Sequence, residues 1–162
     1  MKPNGYSGFQ IALHWAIALL VLFNYIYSDG MGDALDAVLE GRTGEAPDLN
    51  PAIHVWVGVA VLALVVLRLV ARLSRGAPEA GGSGALQVAA SWGHRALYLL
   101  LFLVPLAGAI TWFGKVETTG DIHALLANLL MIAAGGHAAM ALWHQFVVRD
   151  GLLMRMFRPG AN

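Results

Sequence analysis

The sequence predicts an all-α integral membrane protein, an antiparallel bundle of four transmembrane helices. Of the 162 residues, 58% are hydrophobic and only 12% are charged, which is about half the charged fraction of a soluble domain. The apolar residues occur in four blocks, each close to the roughly 20 residues that an α-helix needs to cross a bilayer. We expect one membrane domain over residues 1–162 and no separate soluble module.

The four predicted helices cover about residues 9–28, 51–73, 91–113 and 122–148. Pro51 suits the first turn of the second helix, and Pro105 should kink the third, which membrane helices tolerate. An acidic loop at about residues 29–50 contains a short helical pattern over residues 34–39. The run 76–84 predicts a flexible linker. The tail from Arg149 mixes apolar and basic residues, as a segment lying along the interface does.

The charges separate across this topology although the net charge is zero. One side holds eight basic and two acidic residues and carries +6, while the other holds two basic and eight acidic residues and carries −6. Basic residues favour the cytoplasmic side of a membrane. We therefore expect both termini in the cytoplasm and the acidic loop outside, with membrane lipid as a partner and no nucleic acid.

All six histidines lie in or at the edge of a predicted helix. One intramembrane histidine is usually a hydrogen-bonded packing residue. Packing is a less convincing explanation for six, because ionisable groups in lipid are costly and normally functional. The chain has no cysteine, which excludes thiolate ligands, iron–sulfur clusters and covalently attached haem. The histidines are His14, His54, His94, His123, His137 and His144.

Depth sorts these histidines into pairs. His123 and His137 are fourteen residues apart, about 21 Å of helical rise, and project from nearly the same face. His54 lies at the outer depth of His123, whereas His14 lies on the inner half with His137. Each pair joins two helices, as a flat macrocycle held inside a bundle requires. Haem iron with two axial imidazoles suits electron transfer because no axial position is open to a substrate.

The sequence therefore predicts two b-type haems, with axial pairs His54–His123 and His14–His137. A zinc or copper site would need three or four ligands converging at one depth, and the outer side offers only two. A proton relay or transporter would need intramembrane acids, and the predicted helices contain none. A haem or metal carrier would be expected to hold its cargo weakly through exposed side chains. Histidines paired at two depths in the bundle argue against that function.

Short motifs that contain the histidines and several helix-packing residues occur along nearly the whole chain. They are Leu13-His14-Trp15, Ile53-His54, Val66-Leu67-Arg68 followed by Arg72, Gly93-His94-Arg95, Leu103-Val104-Pro105-Leu106-Ala107-Gly108, His123 with Leu126-Ala127-Asn128-Leu129, and Gly136-His137-Ala138-Ala139 followed by His144. With these motifs the sequence resembles the bacterial cytochrome b561 family, the small four-helix di-haem quinone oxidoreductases. The spacing in the fourth helix is the most specific element.

The resemblance implies haem iron bound by the same two histidine pairs, in a multi-pass protein of the bacterial inner (plasma) membrane. It also implies exchange with quinone, such as ubiquinone, near the cytoplasmic haem, and so a quinone-linked oxidoreductase. One branch of the family oxidises superoxide outside and reduces ubiquinone. The long acidic loop departs from that branch, because negative charge slows the approach of an anion. The alternative is an electron-transfer subunit that docks a basic periplasmic redox protein and has no substrate site of its own.

Three further residues are candidates for binding quinone or a haem propionate. His144 lies on the ligand face of the fourth helix beyond the inner haem. There it would bond a quinone carbonyl, or else a propionate or backbone carbonyl, since each satisfies a buried imidazole. His94 and Arg95 have the same alternatives, with propionate binding favoured.

Overall fold

The computed structural model describes residues 5–42, 49–76, 78 and 84–160. These form five α-helices: α1 (Gly8–Ile26), α2 (Met31–Leu39), α3 (Leu49–Arg75), α4 (Ala85–Gly114) and α5 (Thr118–Trp143). A π-helical turn (His144–Val148) continues α5, and a 3₁₀ turn (Leu153–Met156) follows. Helices α1, α3, α4 and α5 are long and apolar enough to cross a membrane, so the predicted four-helix membrane fold is confirmed.

The helix bounds differ from the predicted ones chiefly at the polar ends. Helix α4 begins at Ala85 and α5 at Thr118, several residues earlier than predicted, because helices can continue beyond the apolar stretch that hydropathy detects. Helix α4 runs through Pro105 as one element. The helical pattern in the acidic loop is confirmed as α2, whereas the rest of that loop at 43–48, and positions 77 and 79–83 of the predicted linker, lie outside the described residues.

Helix α1 begins with a capping box. The Ser7 hydroxyl accepts the Gln10 backbone N–H at 3.3 Å, and the Gln10 side-chain oxygen accepts the Ser7 N–H at 3.0 Å. These bonds satisfy backbone donors that have no partner inside the helix. The cap fixes where the chain enters the bundle, about two turns before His14.

The long helices pack in chain order, α1 against α3, α3 against α4 and α4 against α5, while α1 and α5 approach less closely. A core of Ile17, Val61 and Val65 joins α1 to α3. Tyr25 on α1 donates to the Asn128 side-chain oxygen on α5 at 2.7 Å. Many large apolar side chains face outward, as a surface in contact with lipid requires.

The two ends of the bundle are distinct. The tail returns to the start of α1, where Trp15 donates to the Met156 carbonyl at 2.8 Å and the Gly160 N–H bonds the Tyr6 carbonyl at 3.1 Å. We call this the terminal end. The opposite end, which carries α2, we call the loop end.

Candidate functional site

At the loop end, His54 of α3 faces His123 of α5. Their ring centres are 6.0 Å apart, and the ring planes lie at 79° to each other. His54 Nδ1 lies 3.2 and 3.3 Å from the carbonyl oxygens of Asn24 and Tyr27, in the last turn of α1. The carbonyls at the end of a helix have no intrahelical partner. They can only accept, so Nδ1 of His54 carries the proton and Nε2 is free to bind a metal.

His123 is held in the same manner by α4. Its Nδ1 lies 2.8 Å from the Val104 carbonyl oxygen and therefore donates to it. One turn further along α4, a Cβ added to Gly108 would lie 3.0 Å from two atoms of the His123 ring. Only glycine leaves room for the imidazole in this position. Helix α4 thus fixes both the orientation and the tautomer of His123.

A cavity of about 890 Å³ opens around these two histidines. Its lining comes from all four long helices and from α2. Asn24 lines the cavity, and its side-chain oxygen is buried without a hydrogen-bond partner. The lining includes Asp36, Glu117 and Asp121, and no Arg or Lys occurs among its described residues.

The loop-end site fits a haem. Its volume lies within the usual range for cofactor pockets. An imidazole nitrogen lies about 2 Å from a metal ion that it binds, as zinc sites show, so two rings that share one ion have centres roughly 6 Å apart. The separation of His54 and His123 matches this value. Bound here, a haem would supply a one-electron centre, which the chain's own side chains cannot provide.

At the terminal end, three histidines from three helices meet. The ring centre of His137 on α5 lies 6.3 Å from that of His14 on α1 and 5.2 Å from that of His94 on α4. His94 Nδ1 donates to the Ala90 carbonyl of its own helix at 2.8 Å. The 6.3 Å pair matches the spacing for a shared metal ion, whereas the 5.2 Å pair is shorter than that spacing. The predicted partners His14 and His137 are thus brought together, with His94 beside them.

Arg68 is a residue of this cluster that sequence reasoning missed. Its Nη1 donates to the Gln10 carbonyl at 2.8 Å, and its Nε donates to the Tyr98 hydroxyl at 3.1 Å. Gln10 lies one turn before His14 on α1, and Tyr98 lies one turn after His94 on α4. From the sequence, Arg68 was one of the cytoplasmic charges and part of the Val66-Leu67-Arg68 motif, but no role at a site was expected for it. The available signal was its position inside the predicted helix 51–73, where a charge is normally functional.

The other two candidates lie apart from the histidine cluster. Arg95 is exposed, and its guanidinium lies 4.9 Å from the centre of the Trp92 ring. His144 begins the π-helical turn, and its Nδ1 lies 2.6 Å from a carboxylate oxygen of Asp150. The hydrogen bond from His144 lowers the pKa of Asp150 below its usual range, and the Leu152 N–H, which donates to the same carboxylate, adds to this effect.

Among the residues that the structure describes, no group of three or more His, Asp or Glu side chains is arranged to hold a bare metal ion. The zinc and copper alternatives therefore gain no support. What the fold and sites define is a membrane-embedded helical bundle that presents imidazoles from facing helices at two depths. This is the architecture of a transmembrane haem protein.

The chain belongs to the prokaryotic cytochrome b561 family, whose model matches residues 5–159. It is 46% identical to "Cytochrome b562" of Cereibacter sphaeroides, over 98% of both chains. It is 27% identical to "Probable superoxide oxidase CybB" of Yersinia pestis, over 93% of this chain and 94% of that one. It is 26% identical to "Cytochrome b561 homolog 2" of Escherichia coli (strain K12), over 99% of this chain and 95% of that one. No solved structure matches the chain significantly.

Family membership confirms the predicted resemblance. The protein is a haem b protein of transmembrane electron transfer and spans the bacterial inner membrane several times.

Proposed function

We propose that this protein carries electrons across the membrane through two b haems, each held by two histidines, and exchanges them with quinone on the cytoplasmic side. The observation that carries the proposal is the pair of ring separations, 6.0 Å for His54–His123 and 6.3 Å for His14–His137. Both suit two imidazoles that share one iron, and the two pairs lie at opposite ends of the bundle.

The two proposed haems divide the thickness of the membrane between them. His123 and His137 share α5, and their fourteen-residue separation corresponds to about 21 Å of rise. The hydrocarbon core is roughly 30 Å thick. Centres at these depths would connect the two faces of the bilayer.

Charge supports the terminal end as the cytoplasmic one. Seven of the described arginines belong to this end: Arg68, Arg72, Arg75, Arg95, Arg149, Arg155 and Arg158. The acidic α2 and the α4–α5 connection, with Glu117, belong to the loop end. Basic residues favour the cytoplasmic side, so the loop-end site would face outward.

His144 and Asp150 offer a place for quinone chemistry at the terminal end. Oxidation of one quinol to quinone releases two electrons and two protons, so such a site needs a group that accepts protons beside the haem that would take the electrons one at a time. A carboxylate can only accept, so Nδ1 of His144 carries the proton that is shared with Asp150, and Nε2 is an acceptor whenever the ring carries only that one proton. Nε2 can take the proton of a quinol hydroxyl, and Asp150 stabilises the imidazolium that results. The exposed side of Asp150 connects the pair to water.

The test is reduction of the haems by a short-chain quinol in the purified holoprotein. His144→Ala should slow this reduction roughly tenfold or more, because a positioned acid–base group is lost, while both haem spectra stay unchanged. Val147→Ala, an exposed change in the same turn, is the matched control and should reduce at the wild-type rate. If the spectrum of one haem collapses in His144→Ala, then His144 is a ligand and the pairing is wrong. If wild-type protein does not react with quinol, the quinone assignment fails.

The loop end favours a second candidate, electron exchange with a basic soluble protein. Asp36, Glu117 and Asp121 line the cavity there without a described Arg or Lys. A field of this sign attracts cationic surfaces and repels anions such as superoxide. Exchange with a basic soluble cytochrome should slow as salt rises, since screening shortens the reach of the acidic residues. Fast oxidation of superoxide that also slows with added salt would contradict this candidate and favour a superoxide oxidase.

A further inference from the structure

Arg68 places a permanent positive charge inside a membrane-spanning helix. Its guanidinium is held between helices by the Gln10 carbonyl on α1 and the Tyr98 hydroxyl on α4. The side chain is half-buried in the bundle. Two bonds to two different helices fix the charge beside the terminal-end histidines. A surface arginine would instead move through solvent, which screens its charge.

The loop-end site has the opposite electrostatic character. Its described lining residues include three carboxylates and no basic side chain, and His54 and His123 are backed by carbonyl oxygens. Oxygen dipoles and carboxylates stabilise positive charge. The two sites therefore differ in the sign of their surroundings although both present two imidazoles.

We propose that Arg68 raises the reduction potential of the terminal-end haem above that of the loop-end haem. This inference rests on the two-haem function proposed above. When a haem with two neutral imidazoles accepts one electron, its iron passes from ferric to ferrous and the centre loses one unit of positive charge. No bond breaks and no proton moves. A fixed cation nearby disfavours the ferric form, more strongly inside the protein than in water, and net charge near the haem is one means by which a protein sets its potential.

The charge of Arg68 has a consequence for direction. If the terminal end is cytoplasmic, an electron that moves from the loop end inward moves against a membrane potential that is negative inside. A higher potential at the terminal-end haem offsets this opposing field. The acidic loop end and Arg68 together would bias electrons toward the quinone side.

The experiment is a redox titration of the purified holoprotein, with each haem followed by its own absorbance band. Arg68→Gln should lower the midpoint potential of the terminal-end haem and leave that of the loop-end haem nearly unchanged. Arg75→Gln is the matched control, since Arg75 lies at the end of the same helix, is exposed and stacks near the Phe9 ring. We expect the shift in Arg68→Gln to be at least about three times that in Arg75→Gln, because a buried charge is less screened.

Two further variants separate charge from packing. Arg68→Lys keeps the charge and loses the two-bond geometry, so its shift should be smaller than that of Arg68→Gln; equal shifts would overturn the inference. Tyr98→Phe removes only the hydroxyl that accepts from Arg68, and should lower the same potential by a smaller amount. If Arg68→Gln does not assemble the terminal-end haem, Tyr98→Phe becomes the test. An unchanged midpoint potential of the terminal-end haem in Tyr98→Phe would then contradict the role of Arg68.

The two levels of the proposal fail separately. A haem content near one per chain in the wild-type protein would refute the two-haem function, whereas two haems with equal midpoint potentials would refute only the inference about Arg68. Two wild-type components, with equal small shifts in Arg68→Gln and Arg75→Gln, would refute only the assignment to Arg68.

Discussion

At the residue scale, the groups behind each imidazole matter as much as the imidazole itself. The carbonyls of Asn24 and Tyr27 hold His54, and the carbonyl of Val104 holds His123. Each fixes Nδ1 as the donor and leaves Nε2 free to bind the proposed haem iron. Loss of such outer partners typically costs ten- to a hundredfold in metal affinity. These hydrogen bonds therefore orient both imidazoles of the loop-end site for the proposed haem.

Gly108→Ala tests this orientation at a position that touches no metal. The added Cβ would lie 3.0 Å from the His123 ring, so the imidazole must shift from the Val104 carbonyl. We expect the affinity for the loop-end haem to fall roughly tenfold, so that its absorbance per protein drops on dilution while that of the terminal-end haem is retained. Gly93→Ala, with nothing within 4 Å of its new Cβ, should keep both haems, and an unaltered Gly108→Ala spectrum would refute the constraint.

Much of the residue-scale site was accessible from the sequence, because helical rise alone places His123 and His137 on one face at two depths. The hydrogen-bond acceptors were not accessible. Val104 lies 19 residues from His123 and Asn24 lies 30 residues from His54, and which carbonyls they meet depends on how helices pack. Arg68 was missed for a different reason, since a charge near a helix end satisfies the positive-inside rule without any further role.

At the element scale, the chain reverses direction after α5, so that the residues that follow the π-helical turn lie beside His144. The π-helical turn ends at Arg149, which has φ 59° and whose N–H bonds the His144 carbonyl at 2.7 Å. This reversal brings Asp150 to the His144 ring. π-Helical turns occur often at functional sites. The sequence predicted a helix through residue 148, and neither the wider turn nor the Asp150 contact follows from hydrophobic periodicity.

Asp150 variants test whether this turn serves proton transfer. Asp150→Ala should slow reduction of the haems by quinol about tenfold, because the imidazolium of His144 loses its partner. Asp150→Asn keeps an acceptor oxygen without the charge and should give an intermediate rate. A wild-type rate in Asp150→Ala would contradict the role of the pair.

The pH dependence has a definite sign. The hydrogen bond from His144 depresses the pKa of Asp150, so the carboxylate interaction is fully present above the ordinary aspartate pKa of about 3.9 and is lost only as pH falls through the lowered value. Asp150 should therefore contribute no step to the pH–rate profile of the wild-type protein between about pH 5 and 8. A step in that window that disappears in Asp150→Asn would mean that the pKa of Asp150 is raised instead of lowered, and would contradict the contact.

At the scale of the whole molecule, the order of packing explains where cofactors can lie. The helices pack in chain order and leave α1 and α5 less closely joined, and the histidines of these two helices face inward at the terminal end. Apolar blocks and their lengths were enough to predict the four helices and their antiparallel order. The large cavity was not predictable, since its lining combines residues of α2 with residues of all four long helices, and this arrangement depends on how the helices pack.

Sidedness is a property of the whole chain and has a direct test. The charge split of +6 and −6 predicts cytoplasmic termini. A reporter that is active only in the cytoplasm, fused after Asn162, should be active, and the same reporter inserted after Gly41 in the acidic loop should be silent. The reverse pattern would exchange the two haem sides and move the proposed quinone site outside.

The number of haems per chain tests the central claim most directly. Pyridine haemochrome measured against protein concentration in the purified protein should give two b haems per chain, with the spectrum of six-coordinate low-spin iron. His54→Ala or His123→Ala should remove one haem, and His14→Ala or His137→Ala should remove the other, whereas His94→Ala should retain both. A ratio near one, or a high-spin spectrum, would contradict the account.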